Sequence, residues 1–442
     1  MRIHLVTSGA ADMYCGSCLR DNALATALLA AGHDLLLIPT YTPTLTDEPN
    51  VSTHKVLFGG VSVYLEQRSG FYRRLPKSVH RLLDSWGLLK LLSRVSISTS
   101  PDDLGELTVS MLRGEHGVHA KEFEIMLEWL GKLPRPEVVS LPHSLLIRLA
   151  EPIRRAMGCR VCCALQGEDL FLEGLKEPYR SESLRLIRES VESVDGFIAV
   201  SEYYAEFMSG YLHIPRTKMH TVPLGINLAG YDAMPRAVDQ PFTIGYFARV
   251  VPEKSLHLLA EAYRILRQER GLPASRLEAA GYLAHEYRGY LRGIERKMRE
   301  WGLGDEFHYR GVLSREEKIK FLQGLDVISV PSSYVEPKGI YLLEAMGCGV
   351  PFVQPNHGAF PEIARKSGGG VLFEPGNVAS LADALESLWH DEARRAALGR
   401  AGYDGVRRHF DVNRMAADTV AVYERVLGWD SSPRVAPVAA RA

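Results

Sequence analysis

Short, unbroken apolar runs recur along this chain, separated by longer stretches in which apolar residues return every three or four positions. Runs such as DLLLIP and VCCAL have no polar face, so they fit strands buried on both sides. The intervening periodicity is that of covering helices. This spacing predicts strands over residues 3–7, 34–39, 138–141, 161–165 and 197–200. Between the first two it predicts a helix from about residue 20 to 31, stopped by Gly32. Ser201 stands where an N-cap is needed for the helix YYAEFM. The pattern lapses in PLGINLAGYDAMPRAVDQP, which carries three prolines, and restarts with strands at 243–247, 277–280, 307–309, 327–330 and 352–354.

Strand and helix alternating in this way predict an α/β fold of two doubly wound, Rossmann-like domains with a cleft between them. The expected boundaries are an N-terminal domain over 1–222, a linker over 223–241 and a C-terminal domain over 242–411. A helix over 412–429 is expected to cross back to the N-terminal domain, followed by a flexible tail over 430–442. Residues 42–130 are too many for one crossover and read as an insertion in the first domain.

Composition narrows the function. The 442 residues suit two domains, with 46% hydrophobic and 24% charged residues as in ordinary globular chains. Lys plus Arg, 52, balances Asp plus Glu, 53, so nothing favours a nucleic-acid partner. No apolar run nears the ~20 residues that span a bilayer, and MRIHLVTSG leads straight into a strand rather than a signal peptide. The expected location is cytoplasmic. Residues 68–94 depart from the mean, with seven Lys/Arg and one Asp among Phe71, Tyr72, Trp86 and many leucines. That segment is either a membrane-surface element, giving peripheral contact with an anionic inner face, or a helical hairpin packed on its own domain. Two C-x-x-C pairs, Cys15/Cys18 and Cys159/Cys162, raise a zinc or redox reading. Their wide separation and the apolar setting of the second favour small buried hydrophobes, as for Cys348.

The chemistry-bearing stretch runs from 331 to 363, PSSYVEPKGIYLLEAMGCGVPFVQPNHGAFPEI, just after a strand. Gly339 precedes a helix beginning at Ile340, whose unpaired first amides and positive dipole end make an anion site. Glu344 lies roughly 6 Å further along the axis, within reach of a ribose if a diphosphate sits at the helix start. Glu336, in the loop before, faces the other end of such a diphosphate. Alone, Glu344 reads equally as an exposed helix residue and Glu336 as a cap. Arg249 and Lys254 flank the strand-to-helix turn of GYFARVVPEK, at the sheet edge where open α/β sheets bind ligands. Two cations there neutralise a diphosphate without a metal ion.

Together these stretches resemble the family 4 retaining glycosyltransferases, which have the GT-B fold. Glu336 and Glu344 match the family's E-x7-E motif, and Arg249 with Lys254 five residues on matches its Arg/Lys pair. The run AMGCGVP and Gly358 with Pro361-Glu362 match as well, so the resemblance covers most of 195–427. It implies that Arg249, Lys254 and the amides of Gly339 and Ile340 hold the diphosphate, that Glu344 binds ribose and that Glu336 lies by the transferred sugar. The donor implied is a nucleotide-diphosphate sugar used without metal or other cofactor. The acceptor implied is a hydroxyl of a glycan, a lipid-linked molecule or a small molecule.

The first domain departs from the family pattern. Gly16 is the candidate for the close approach of backbone to donor, a role that needs no side chain. Gln166 stands where the family often has a histidine, followed by Gly167, Glu168 and Asp169, which are candidates for the sugar or acceptor side. His143 is the nearest histidine at a comparable sheet edge. The leaving diphosphate can itself take the acceptor proton, so a retaining hexosyl transfer survives the loss of that histidine. The alternatives are a catalytically inactive sugar-nucleotide or glycan-binding protein, or another GT-B activity such as a nucleotide-sugar epimerase.

Overall fold

A computed structural model of the chain describes residues 1–9, 16–42, 44–53, 55–58, 101–233 and 240–429. The basic segment 68–94, Cys15 and the tail from 430 lie outside the described residues.

Two six-stranded sheets, all parallel in their pairing, form the two domains. The first contains β1 (Arg2–Thr7), β2 (Asp34–Pro39), β3 (Val138–Leu141), β4 (Arg160–Leu165), β5 (Gly196–Ala199) and β6 (Met219–Thr221), in the order β2-β1-β3-β4-β5-β6. The second contains β7 (Thr243–Phe247), β8 (Arg276–Ala280), β9 (Phe307–Tyr309), β10 (Val327–Ile328), β11 (Phe352–Pro355) and β12 (Gly370–Phe373), in the order β12-β11-β10-β7-β8-β9. Strands β3, β5 and β11 are buried at every residue, as continuous apolar runs require. The α/β, GT-B expectation therefore holds.

Two strands, β6 and β12, were not foreseen. Both are edge strands, half-buried over most of their length; β6 (MHT) has no apolar run, while β12 (GVLF) is a short apolar one. The first helix begins at Gly16 rather than near residue 20. Ser201 does cap the helix Glu202–Tyr211, its side chain accepting from the Tyr204 amide at 3.2 Å.

Strand order reverses between β1 and β3 in one domain and between β7 and β10 in the other. Ligands bind outside the carboxyl ends of strands at such switch points. The helix Val412–Leu427 packs against Gly16–Ala30 and β4, so the chain's last helix rests on the first domain. The entry to that helix is tied to the linker: Ile226 donates to the Phe410 carbonyl at 2.9 Å and Val412 to Ile226 at 3.0 Å. Cys18, Cys159, Cys162, Cys163 and Cys348 are buried, and the last four form no disulfide among the described residues. Burial pushes the Cys159 thiol up to about 11 and Cys348 up to about 12, which keeps both protonated and unreactive. Among the described residues no His, Cys, Asp and Glu cluster could hold a metal ion.

Candidate active site

A cleft of about 520 Å³ runs between the domains, bounded by the loops that follow β1, β3 and β4 on one side and β7, β8, β9 and β10 on the other. It lies along the carboxyl edges of both sheets, where the switch points converge.

The C-terminal wall carries the charge. Arg249 follows β7, lines the cleft and is exposed, and its guanidinium forms no ion pair among the described residues. Lys254 closes the short turn Pro252–Lys254 and is buried, its ammonium bonded to Glu336 Oε2. The next residue, Ser255, has φ of 54°, a left-handed conformation uncommon for a side chain bearing Cβ. That strained turn, wholly buried at Ser255, aims Lys254 back across the sheet edge. Glu336 also accepts from the Tyr341 hydroxyl at 3.4 Å.

Gly339 precedes the helix Ile340–Gly347 with φ −164° and ψ 59°. A Cβ at Gly339 would sit 3.3 Å from side-chain carbons of both Ile363 and Leu342, so glycine keeps the loop tight against the core. Within the first turn the Leu342 amide turns back to the Gly339 carbonyl at 2.9 Å, whereas the amides of Ile340 and Tyr341 come too early for an intrahelical partner, and both residues line the cleft. Glu344 is buried, not the exposed helix residue that periodicity alone allowed. Its Oε1 accepts from Lys318 Nζ at 2.6 Å and from the Tyr231 hydroxyl at 3.1 Å.

The N-terminal wall is mostly apolar or backbone. Gly16 opens its helix opposite Ile340, where a Cβ would come within 3.2 Å of Ile340 Cδ1. His143 follows β3 and lines the cleft near Leu145, Leu170 and Phe171. Gln166 also lines it, but its amide nitrogen donates inward to Asp21 at 3.3 Å and to the Pro142 carbonyl at 3.1 Å. Burial raises the Asp21 carboxyl above its ordinary range despite the adjacent Arg20.

Two first-domain candidates for the acceptor or sugar side have partners within the protein. Glu168 lines the cleft, and its carboxylate is engaged by neighbouring donors. It accepts from the Ser144 amide and hydroxyl, both at 2.9 Å, and from the amides of Gln166 at 2.8 Å and Gly167 at 3.1 Å. Asp169, given the same role, accepts instead from the hydroxyls of Tyr204 at 2.7 Å and Tyr334 at 3.0 Å. Tyr334 belongs to the other domain, so Asp169 is an interdomain tie. Burial raises its carboxyl above the usual range.

Further ties escaped the sequence reading. Ser201 donates to the Pro337 carbonyl at 2.8 Å, and Glu362 caps the helix Glu202–Tyr211 from across the interface by accepting from the Glu202 amide at 2.8 Å. Lys318 and Arg315 reach Asp47 and Glu48 of the first domain at 2.6 and 2.9 Å. Both cations sit in the run SREEKIK, which reads as a solvated face. The one available signal was the helical spacing of Lys318 to Leu322, both of which prove buried.

Two family models match this chain in tandem: Glycosyltransferase Family 4 over residues 112–229 and Glycosyl transferases group 1 over residues 233–405. Among curated relatives, a phosphatidyl-myo-inositol mannosyltransferase of Mycobacterium leprae is 33% identical over 33% of this chain and 39% of its own length. An MMP alpha-(1->4)-mannosyltransferase of Mycolicibacterium hassiacum is 31% identical over 48% and 49%. A GDP-mannose-dependent alpha-(1-6)-phosphatidylinositol monomannoside mannosyltransferase of Mycobacterium tuberculosis is 25% identical over 62% and 71%. The chain thus spans about two fifths and half of the first two. Among solved structures, the sucrose-phosphate synthase of Thermosynechococcus elongatus shares the fold over 97% of this chain and 100% of its own, with TM-score 0.70 and 17% identity. Anabaena HepE in complex with UDP does so over 96% and 99%, with TM-score 0.67 and 16% identity. With both halves of the cleft matched in order and the two-sheet architecture shared, this chain belongs to the family 4 glycosyltransferases of the GT-B fold.

Proposed function

We propose that this protein transfers a hexose from a nucleoside diphosphate sugar to a hydroxyl acceptor with retention of anomeric configuration. One juxtaposition carries the reading. Arg249, Lys254 and the first-turn amides at Gly339 and Ile340 converge on one wall of the cleft, and Gly16 approaches them from the other domain. Two cations and a helix start neutralise a diphosphate directly, so no metal is required. Glu344 then takes the ribose diol and Glu336 stands beside the transferred sugar.

In this reaction the bond from the anomeric carbon to the diphosphate oxygen breaks. The acceptor oxygen bonds to the same carbon on the same face, and its proton passes to the departing phosphate oxygen. No protein base is needed. Arg249, Lys254 and the amides stabilise the charge that grows on the diphosphate. The state of the cleft carboxylates supports this route over a double displacement, which needs a carboxylate free to attack. Glu336 is tied to Lys254 and Tyr341, Glu344 to Lys318 and Tyr231, and Glu168 to five donors of the first domain.

Leu145, Leu170 and Phe171 on the first-domain wall suit an acceptor with an apolar part near its hydroxyl. Two of the relatives are named for mannose transfer to phosphatidylinositol compounds, and a lipid-linked acceptor is the corresponding choice here. The buried engagement of Gln166 favours a second reading, a protein that binds sugar nucleotides without transfer. Incubation with a panel of UDP- and GDP-hexoses separates the two. Release of nucleoside diphosphate, with an anomeric proton in the product of the same configuration as the donor's, supports retaining transfer. Binding without release leaves the second reading, and an inverted product rules out retention.

A further inference from the structure

Glu344 is held in the cleft by a cation that is itself shared between the domains. Lys318, on the helix Arg315–Gln323, lies 2.6 Å from Glu344 Oε1 and 2.6 Å from Asp47 Oδ2. All three side chains are nearly enclosed, with relative exposures of 6% for Lys318, 9% for Glu344 and 11% for Asp47. Burial by itself would lower the Lys318 ammonium, but Glu344, Tyr231 and Asp47 together carry it upward, so it stays charged. Lys318 and the Tyr231 hydroxyl, the donors to Glu344 among the described residues, converge on Oε1. Oε2 accepts from no group among the described residues and is not among the buried atoms lacking a partner, so it keeps some exposure, and Glu344 lines the cleft.

Asp47 is equally well held. Its segment is pinned to the helix Gly16–Ala30 by Asn22, which donates to the Pro49 carbonyl and accepts from the Val51 amide, both at 3.1 Å. The neighbouring Glu48 takes Arg315 at 2.9 Å, and Arg315 also donates to the carbonyls of Asn227 at 2.9 Å and Ala229 at 3.1 Å. Arg315 therefore already anchors its helix to the first domain. Lys318 adds no further anchor that the helix needs; what it adds is a fixed rotation of Glu344 and relief of the repulsion between two carboxylates that face it.

We infer that Lys318 and Asp47 are positioning residues for nucleotide recognition: Lys318 clamps one oxygen of Glu344 so that the other meets the ribose diol, and Asp47 supplies that clamp's second anchor from the opposite domain. The inference rests on the reading of Glu344 as the ribose acceptor and deepens it. The ribose site is then complete only when the two domains are in the arrangement seen here.

The test is titration calorimetry on the full chain with UDP and GDP, each against its 2′,3′-dideoxy analogue. Wild type should prefer the ribonucleotide by about tenfold or more, the contribution of a charge-assisted hydrogen bond. Lys318→Met should lower ribonucleotide affinity to near the dideoxy value and leave dideoxy affinity unchanged, a pattern that loss of fold does not produce. Lys318→Arg should keep most of the preference. Asp47→Asn, which leaves Lys318 on Glu344, should narrow it by about threefold, and it carries the test if Lys318→Met does not fold. In turnover, the same variants should raise donor KM with kcat little changed. A wild-type ribo-to-dideoxy ratio in Lys318→Met, or in Asp47→Asn where the former is unfolded, overturns the inference. Absence of the preference in wild type instead removes the ribose role of Glu344, and absence of any nucleoside diphosphate binding removes the proposed function itself.

Discussion

Arg249 and Lys254 are expected to serve the same chemistry from opposite structural situations, and that difference gives the sharpest test of the site. Arg249 is exposed with no ion pair among the described residues, so Arg249→Ala removes a cation and nothing else. Lys254 and Glu336 are buried together, with relative exposures of 10% and 9%. Lys254→Ala therefore also strands a carboxylate inside the protein. Each cation facing a developing phosphate charge contributes about 2–4 kcal/mol to the barrier, or about 10²–10³ in kcat. Breaking a buried pair by removing one partner costs about 3–5 kcal/mol of stability, roughly 6–20 °C in Tm for a domain of this size. The expectation is that both single variants lose donor turnover to a similar degree. Arg249→Ala should melt with wild type, and Lys254→Ala well below it. A Lys254→Met/Glu336→Gln double variant, with neither charge left, should recover most of the Tm and none of the turnover. Donor hydrolysis assays and differential scanning calorimetry on the four proteins read both quantities. Wild-type turnover in Arg249→Ala would falsify the diphosphate assignment. An equal loss of Tm in both single variants would refute the structural distinction drawn between them.

Activity is expected to persist in EDTA, because cations and helix amides answer the diphosphate charge; loss in chelator restored by magnesium or manganese would sink that account. His4, wholly buried in β1 with neither ring nitrogen partnered among the described residues, is held down to about 4 by burial, with Asp34 raising it and Arg2 lowering it. Above pH 6.5 neither state carries the proton; from 6.5 down to about 4 the unfolded chain binds it and the folded one does not, so stability falls by about 3 kcal/mol across that window. His4→Leu should flatten the acid side of a Tm-against-pH curve, and an unchanged curve would exclude His4 as its cause. The segment 68–94, with seven basic residues and one acidic, is expected to bring the protein to anionic vesicles at low salt and release it at high salt. Equal sedimentation of wild type and an Arg73/Arg74/Lys77/Arg81→Glu variant with such vesicles would leave only the packed-hairpin reading.

The framework of this fold was legible in the chain because parallel strands buried on both faces must be continuously apolar, and DLLLIP and VCCAL have no other reading. The edge strand β6 escaped because an edge needs less apolar surface, and in MHT only Met219 is apolar; β12, GVLF, was passed over despite its apolar run. On the C-terminal wall the placement of the candidates was readable because it follows fixed backbone offsets: a glycine before a helix, a carboxylate one turn in, a cation just past a strand. The partners of Glu168 and Asp169 were not readable, for a physical reason. Acidic residues at a sheet edge look the same in sequence whether they face solvent, ligand or buried hydroxyls. Only the fold brings Ser144 and Tyr204 to Glu168 and Asp169. Lys318 was missed on the same ground, since a charged helix stretch predicts a wet face until a partner from 271 residues away closes over it.

Several of the ties that escaped the sequence share a location, and the location bears on turnover. Asp169 with Tyr334, Ser201 with Pro337, Glu202 with Glu362, and Asp47 with Lys318 all join one domain to the other across the cleft. One apolar cluster links the two domains and includes Met415, Val422 and Tyr423 of the last helix, while the ties just named are polar and set around a cavity of about 520 Å³. Such contacts exchange for water at small net cost, whereas separating a large apolar interface exposes surface at about 25 cal/mol per Å². A transferase that grips a diphosphate with two cations must release the same diphosphate after the sugar has gone. Opening a polar interface loosens that grip, since Gly16 and the first-domain wall withdraw from the helix start at Ile340. The residues hardest to read from sequence are thus those whose work exists only between domains, and the ones most readable act within a single strand-to-helix turn.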